Sequence, residues 1–273
     1  MNDVTPELPL VSALFITYKR FEHLQSSLEA FRRNTSYPNL EIVIADDGSG
    51  TEIQNKIRRL PAHRFALAGK NRGLGANNNA GLSLCTGKYV LMIQDDWICH
   101  GPSDYLEQAV KVMEANPDVG LINFAGGAHP PDLSMPLAGS RQPCYVTPHA
   151  APNLSGGRPL SLYSDQPHLQ SRDCLNLLGP YKELPMVRSE SCYEDAWNQQ
   201  SRFRAAVFPE WHLRVFQCDY SAASYSAMMF SRRTAAALFP TAQWLKKNCH
   251  PIYRVSRSCF YLAVRRLEDW GVK

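Results

Sequence analysis

The chain of 273 residues is long enough to bury a full hydrophobic core, and its composition is that of a soluble globular protein. It contains no apolar run near the ~18 residues of a membrane-spanning helix, and its N-terminus does not resemble a secretory signal. Within the net charge of +4, residues Thr241 to Lys273 carry +5, from seven Lys or Arg against two acids, so the rest of the chain is close to neutral. Eight scattered cysteines without a zinc-ligand spacing indicate reduced thiols, so we expect a cytoplasmic protein.

Strands and helices are predicted to alternate through the first half of the chain. The predicted strands are Val11–Thr17, Leu40–Ala45, Phe65–Ala68, Tyr89–Ile93 and Val119–Phe124. The predicted helices are Phe21–Arg33, a second that starts at Ser49, Leu74–Cys85 and Tyr105–Glu114. Elements of these lengths in alternation are typical of an α/β fold with a mostly parallel, Rossmann-like central sheet flanked by helices.

The second half is less regular. Residues 126–170 include eight prolines and five glycines, which predicts an irregular functional loop, with regular structure resuming near Cys174. A helix is predicted to start near Glu194, because Ser191 and Glu194 form a capping box, as Ser49 and Glu52 do earlier. Further helices are predicted at Thr234–Phe239 and Ile252–Trp270.

Polar side chains follow three of the predicted strands. Thr17, Tyr18, Arg20, Asp46 and Asp47 follow the first two, and the apolar strand YVLMI ends on Gln94, Asp95 and Asp96. If the sheet is parallel, these residues share the edge where α/β proteins bind ligands. Adjacent carboxylates there suit a hard divalent cation shared with substrate phosphates. Ordinary acidic turns and helix caps are the alternative.

Four motifs in this order, FITYKR, ADDGS, NRGLGANNNAG and YVLMIQDDW, resemble family 2 glycosyltransferases. The resemblance spans about Val11 to Phe124 and implies a GT-A type fold that binds a nucleotide diphosphate sugar. It implies Mn²⁺ or Mg²⁺ as cofactor, held by Asp95 and Asp96. The donor-binding residues that it implies are Thr17, Tyr18, Arg20, Asp46, Asp47, Arg72, Gly73 and Asn77.

The second half resembles the same family at two places, Leu178–Tyr181 and the pair Glu194–Asp195. In inverting members the second acid of that pair is the catalytic base, which implies this role for Asp195, with Glu194 beside it. Acids that complement a helix N-terminus are the alternative explanation. Many relatives carry a metal-binding His further on, where this chain has Val215 or Phe216. His212 and Asp219 are possible substitutes.

These observations predict one domain with two halves and a tail: a nucleotide-sugar half (1–125), an acceptor and base half (126–240) and a basic, aromatic, helical tail (241–273). The expected activity is metal-assisted, inverting transfer from a UDP-sugar, rather than a GDP- or dTDP-sugar, to a saccharide or lipid-linked acceptor. The tail is predicted to contact anionic lipid at the inner face of the membrane. The alternatives are glycosylation of modified nucleic-acid bases or of a small molecule, a nucleotidyltransferase, and a non-catalytic nucleotide-sugar or glycan-binding module.

Overall fold

The computed structural model describes residues 8–124, 134–135, 137–139, 144–147, 163, 165–184, 186–207 and 215–219. The chain divides into two compact units, Met1–Tyr220 and Ser221–Lys273. The second unit lies outside the described residues, and with it lie the two helices predicted after Thr234 and the basic tail. Within the described part of the chain, no helix has both the length and the apolarity needed to cross a bilayer.

Eleven strands and six helices make up the described structure. The strands are β1 Val11–Thr17, β2 Leu40–Asp46, β3 Arg64–Leu67, β4 Tyr89–Gln94, β5 Trp97–Cys99, β6 Val119–Asn123, β7 Ser134–Met135, β8 Cys144–Thr147, β9 His168–Ser171, β10 Arg204–Val207 and β11 Phe216–Cys218. The helices are α1 Phe21–Asn34, α2 Thr51–Ile57, α3 Leu74–Leu84, α4 Tyr105–Ala115, α5 Arg172–Leu178 and α6 Met186–Gln199.

Nine strands form one sheet in the order β3-β2-β1-β4-β9-β6-β10-β8-β7, and β5 pairs with β11 in a separate ribbon. β1 is parallel to β2 and β4, and β2 is parallel to β3. β9 is antiparallel to both β4 and β6, so β6 and its parallel neighbour β10 run in the direction of β1. The predicted mostly parallel α/β sheet is confirmed, with β9 and β8 running in the opposite direction.

The central strands are buried on both faces because helices cover both sides of the sheet. Along β1, Ala13 and Phe15 enter one core with α1 and α4, whereas Leu14 and Ile16 enter the other with α5 and α6. A strand buried on both faces needs a continuous apolar run, which is what VSALFIT supplies. Each large apolar side chain buried in this way contributes about 1.5–3 kcal/mol.

Three sequence expectations need correction. Neither capping box forms: α2 starts after Gly50 without a side-chain cap, and α6 starts at Met186, so Ser191 and Glu194 lie inside it. The segment 126–170 is not wholly irregular, since β7, β8 and most of β9 lie in it. Strands of two to four residues are too short to produce a recognisable alternation in the sequence.

Candidate functional site

The carboxyl ends of β1, β2 and β4 meet at one edge of the sheet, as predicted. Thr17, the last residue of β1, is paired with Asp46, the last residue of β2. Backbone hydrogen bonds continue this alignment beyond the strands, from Asp47 N–H to the Thr17 carbonyl at 3.2 Å and from Asp95 N–H to the Ile16 carbonyl at 3.1 Å. The residues predicted to bind donor and metal therefore begin from neighbouring backbone positions.

Asp95 is held inside this edge by two side chains. The Thr17 hydroxyl donates to its Oδ2 at 2.7 Å, and the Arg20 guanidinium donates to its Oδ1. Burial raises the pKa of Asp95, although the hydrogen bonds from Arg20 and Thr17 act in the opposite direction. Both oxygens of Asp95 therefore have partners, and the side chain is 2% exposed.

Asp96 differs from Asp95 in that only one of its two carboxylate oxygens has a partner among the described residues. Its Oδ2 lies 3.4 Å from Nη2 of Arg20, whereas its Oδ1 is buried and has no hydrogen-bond partner among the described residues. Burial alone would lower the pKa of Arg20, because it disfavours the charged guanidinium. The contacts with Asp95 and Asp96 have the larger effect, so the pKa of Arg20 is raised. An orphaned buried carboxylate oxygen has the chemistry of a cation ligand.

Asp46 and Asp47 organise the two loops beside this edge. Asp46 accepts hydrogen bonds from Ser49, through both its hydroxyl and its backbone N–H, and from Gln54 Nε2 at 2.8 Å. Asp47 accepts from the backbone N–H groups of Arg72 and Gly73, each at 2.8 Å. The carboxylates thus fix the loops that lead into α2 and α3, and a contact of either one with a nucleotide stays a prediction.

Two asparagines of α3 make polar contacts inside the fold. Asn77 donates to the backbone carbonyls of Thr17 at 3.2 Å and Ala45 at 3.1 Å, tying β1 to β2 at the site. Asn79 exchanges two hydrogen bonds of 2.9 Å with the backbone of Tyr181. The segment 179–184, which includes Tyr181 from the predicted motif Leu178–Tyr181, is thereby fixed against α3.

The β5–β11 ribbon brings a further acid to Asp96. Its register pairs Cys218 with Trp97, so the next pair is Asp219 and Asp96, joined by a hydrogen bond of 2.7 Å from Asp219 N–H to the Asp96 carbonyl. Residues opposite each other in an antiparallel pair project their side chains from the same face. The Asp219 carboxylate also lies 3.7 Å from Nδ1 of His23. His212, the other candidate from the sequence, lies outside the described residues.

Glu194 and Asp195 lie on α6, about a hundred residues further along the chain. Ser189, Tyr193 and Trp197 form the buried face of this helix, so Asp195 points to the opposite, exposed side. α6 starts at Met186, which places both acids beyond its first two turns. Complementation of the helix N-terminus therefore does not explain them, because that effect fades within the first turn.

The described residues contain no group of three His, Cys, Asp or Glu side chains arranged to hold a metal ion. A cation that shares substrate phosphates needs only one or two protein carboxylates. Asp96, with its orphaned oxygen, and its cross-strand neighbour Asp219 meet that lower requirement. The residues present therefore fit a cation bound jointly with a diphosphate.

Residues 12–136 match the family model described as glycosyl transferase family 2. This part of the chain, a little under half of its length, is similar to glycosyl transferase family 2. The match contains β1, β2, β4 and the carboxyl ends that form the site, and it confirms the family predicted from the four motifs. The acids on α6 lie beyond the matched residues.

Two curated relatives that match this part of the chain are informative. EpsH of Bacillus subtilis, named as a glycosyltransferase, is 31% identical over 123 residues, which cover 44% of this chain and 35% of that protein. The Escherichia coli UDP-Gal:alpha-D-GlcNAc-diphosphoundecaprenol beta-1,3-galactosyltransferase is 30% identical over 128 residues, 45% of each chain. The chain thus spans less than half the length of either relative.

A solved structure extends the likeness beyond the glycosyl transferase domain. The mannosyltransferase PcManGT from Pyrobaculum calidifontis, in complex with GDP-Man and Mn²⁺, aligns over 97% of this chain and 88% of its own, with a TM-score of 0.59 and 18% identity. At that identity the comparison shows the fold alone. The fold is the GT-A type predicted from the sequence.

Proposed function

We propose that this protein is an inverting glycosyltransferase that moves a sugar from a UDP-sugar to a hydroxyl of a saccharide or lipid-linked acceptor. The observation that carries the proposal is the convergence of Thr17, Asp47, Asp95 and Asp96 on one sheet edge inside a family 2 segment. Ligands of open α/β sheets bind at this edge. The name of the Escherichia coli relative, which specifies UDP-Gal, supports a UDP-linked donor.

The residues of the proposed donor site have separate roles. Asp46 and Asp47 hold the loops that border the nucleotide, and Asn77 holds the two strands together beneath it. Thr17 and Arg20 fix Asp95, and the backbone next to Asp95 positions Asp96. Tyr18, Arg72 and Gly73 are proposed to complete the nucleotide contacts.

A divalent cation, Mn²⁺ or Mg²⁺, is proposed to bind to Asp96, with Asp95 behind it and Asp219 beside it. The solved complex of PcManGT with Mn²⁺ supports metal use in proteins of this fold. When bound, the cation would neutralise the charge that grows on the departing nucleoside diphosphate. Arg20 then supplies a fixed positive charge at the same carboxylates, which limits their mutual repulsion.

Asp195 is proposed to be the general base. An acceptor hydroxyl must lose its proton as it attacks the anomeric carbon, and a carboxylate within hydrogen-bond distance can take it. The exposed position of Asp195 on α6 leaves it accessible to such a hydroxyl. Attack from the side opposite the leaving group in a single displacement inverts the anomeric configuration. Glu194 is proposed to assist from the neighbouring position.

The acceptor side is proposed to include residues 126–240, with the basic tail 241–273 resting on anionic lipid at the cytoplasmic face of a membrane. The Escherichia coli relative, whose name specifies a diphosphoundecaprenol-linked sugar, supports a lipid-linked acceptor. Co-sedimentation with vesicles that contain phosphatidylglycerol should require the tail and should weaken with salt. Equal sedimentation of a chain ending at Pro240 would contradict the membrane role.

Donor turnover tests the proposed function. The protein is incubated with Mn²⁺ and a panel of UDP-, GDP- and dTDP-sugars, with and without saccharide acceptors, and the products are identified by mass spectrometry. We expect transfer, or slow release of the nucleoside diphosphate, from a UDP-sugar. Binding of a donor without any turnover across the panel would favour a non-catalytic sugar-binding module.

Replacement of Asp195 by Asn tests the base. We expect turnover to fall by about 10²–10⁴-fold, the usual contribution of a general base, while donor affinity stays the same. Asp173→Asn, a change of an exposed helical acid on α5, is the matched control and should keep wild-type turnover. Retained turnover in the Asp195→Asn variant would contradict this assignment.

A further inference from the structure

Two acids not assigned so far, Asp165 and Glu190, meet at the carboxyl-end edge of the sheet. β9 runs opposite to its neighbours, with His168 paired to both Met92 of β4 and Asn123 of β6. The chain just before β9 therefore continues past the carboxyl ends of those strands. This places Asp165 at the same edge as the donor site.

Asp165 makes hydrogen bonds through both its backbone and its side chain. Its backbone N–H donates to Oε1 of Glu190 on α6 at 3.4 Å. The Tyr163 hydroxyl donates to its Oδ1 at 2.5 Å and lies 2.7 Å from the Tyr181 hydroxyl. Its other oxygen, Oδ2, is buried with no hydrogen-bond partner among the described residues, and the residue is 9% exposed.

The environment of these two acids disfavours two negative charges. The described titratable groups around them come from four elements, and they are Tyr163 and His168 from the segment entering β9, Cys174 of α5, Tyr181 of segment 179–184 and Tyr193 of α6. Burial, followed by the charge of Glu190, raises the pKa of Asp165 to about 7. Burial also raises the pKa of Glu190, although the N–H of Asp165 acts against it. Neighbouring carboxyls in such a site keep one proton between them.

We propose that Asp165 and Glu190 form a one-proton carboxyl pair that fastens α6 to the start of β9 and so positions the base on α6. Glu190 lies one helical turn before Glu194, and Asp195 follows directly. The first turns of α6 are otherwise held by Ser189, which donates to the Lys182 carbonyl at 2.7 Å, and by Tyr193, which stacks on Tyr181 at 3.9 Å. The positioning role rests on the proposed function, whereas the attachment of α6 does not.

The carboxyl pair makes the attachment depend on pH in a defined direction. A raised pKa means that the attached state holds a proton that the detached state has already released. The stabilisation is therefore complete below about pH 4, the ordinary range of free carboxyls, and is lost as the pH rises towards about 7. Once both acids are charged, their repulsion inside the protein favours detachment of α6.

Hydrogen–deuterium exchange of peptides that cover α6 tests the carboxyl pair, with peptides from β1 as internal reference. Between pH 5 and pH 7.5 we expect the protection factors of α6 in the wild-type protein to fall by at least about tenfold relative to β1, since linkage allows up to tenfold per pH unit. The double variant Asp165→Asn/Glu190→Gln should show less than about a twofold change, because neither amide titrates.

Two results would overturn the carboxyl pair: protection of α6 that does not change with pH in the wild-type protein, or the full wild-type pH dependence in the double variant. If the double variant does not fold, Glu190→Gln alone decides, since it should reduce the pH dependence and an unchanged slope would contradict the pair. Glu183→Gln is the matched control, because Glu183 is exposed three residues before α6 and should behave as wild type.

Kinetics separate positioning from a purely structural role. Glu190→Gln should lower kcat and flatten its pH profile, while the KM for the donor stays unchanged because the proposed donor residues lie at the carboxyl ends of β1, β2 and β4 and around the start of α3. A raised KM with unchanged kcat would contradict the positioning of the base. If the wild-type protein turns over no donor, the proposed function fails, and the exchange measurement still decides whether the carboxyl pair attaches α6.

Discussion

At the scale of single residues, the site depends on how Arg20 reaches Asp95 and Asp96. The sequence predicted that strand-end residues would converge, because parallel strands end at one edge. It did not predict this ion pair, because the chain between β1 and α1 turns at Lys19 with a φ of 57°. Such a left-handed conformation is uncommon outside glycine and leaves no recognisable pattern in the sequence. Arg20 was expected to bind the nucleotide, and the structure adds a partnership with the acids.

Thr17 gives a residue-scale prediction about Asp95. Thr17→Val keeps the shape of the side chain but removes the hydrogen bond to a buried carboxylate, which should cost about 1.5–3 kcal/mol of unfolding free energy. Thr17→Ser keeps the hydroxyl and loses one methyl group, which should cost about 1 kcal/mol. Urea unfolding monitored by circular dichroism measures both. A Thr17→Val protein as stable as wild type would contradict the proposed hold on Asp95.

At the scale of elements, the predicted strands and helices of the first half agree with the structure to within a residue or so at most ends. Among the described helices, only the two starts predicted from capping boxes, those of α2 and α6, were wrong. Ser49 hydrogen-bonds to Asp46 in place of capping α2, so a local side-chain contact competed with the capping motif. α6 starts five residues before Ser191, so the Ser191 and Glu194 pattern lies in the middle of the helix and does not mark its start.

The β2–α2 loop yields an element-scale prediction from two glycines. Gly48 has a φ of 78°, and a Cβ there would meet the backbone of Lys70 and lie 2.7 Å from the Asn71 nitrogen. Gly50 has a φ of 93° but open space around it. Gly50→Ala should therefore cost only backbone strain, about 1–3 kcal/mol, and Gly48→Ala should cost more.

Thermal unfolding of the two glycine variants checks this order. The Gly48→Ala protein should have the lower Tm, and because Lys70 and Asn71 precede the loop that Asp47 holds, its nucleotide affinity should fall as well. Equal Tm values for the two variants would show that the close approach of the two loops does not matter for stability.

At the scale of the whole molecule, alternation of strands and helices was sufficient to predict an α/β sheet and the edge that carries the site. The reversed direction of β9 was not predictable, because HLQS is four residues long and its composition does not distinguish parallel from antiparallel pairing. The contact between Asp165 and Glu190 was not predictable for the same reason. It forms only because β9 is reversed, which brings the residues before β9 to α6. The family motifs predicted which residues converge at the carboxyl ends of β1, β2 and β4, and they carry no information about the acceptor.

Calorimetric titration with UDP and GDP, in Mn²⁺ and in EDTA, tests the central claim most directly. We expect the wild-type protein to bind a nucleoside diphosphate at least about tenfold more tightly with Mn²⁺, and Asp96→Asn to lose that gain because it removes a charged ligand. The control variant Glu52→Gln, which changes an exposed acid on α2, should keep the full gain in affinity with Mn²⁺. Nucleotide binding that is equally tight without metal, or unchanged in Asp96→Asn, would contradict a cation–diphosphate site at the carboxyl ends of β1, β2 and β4.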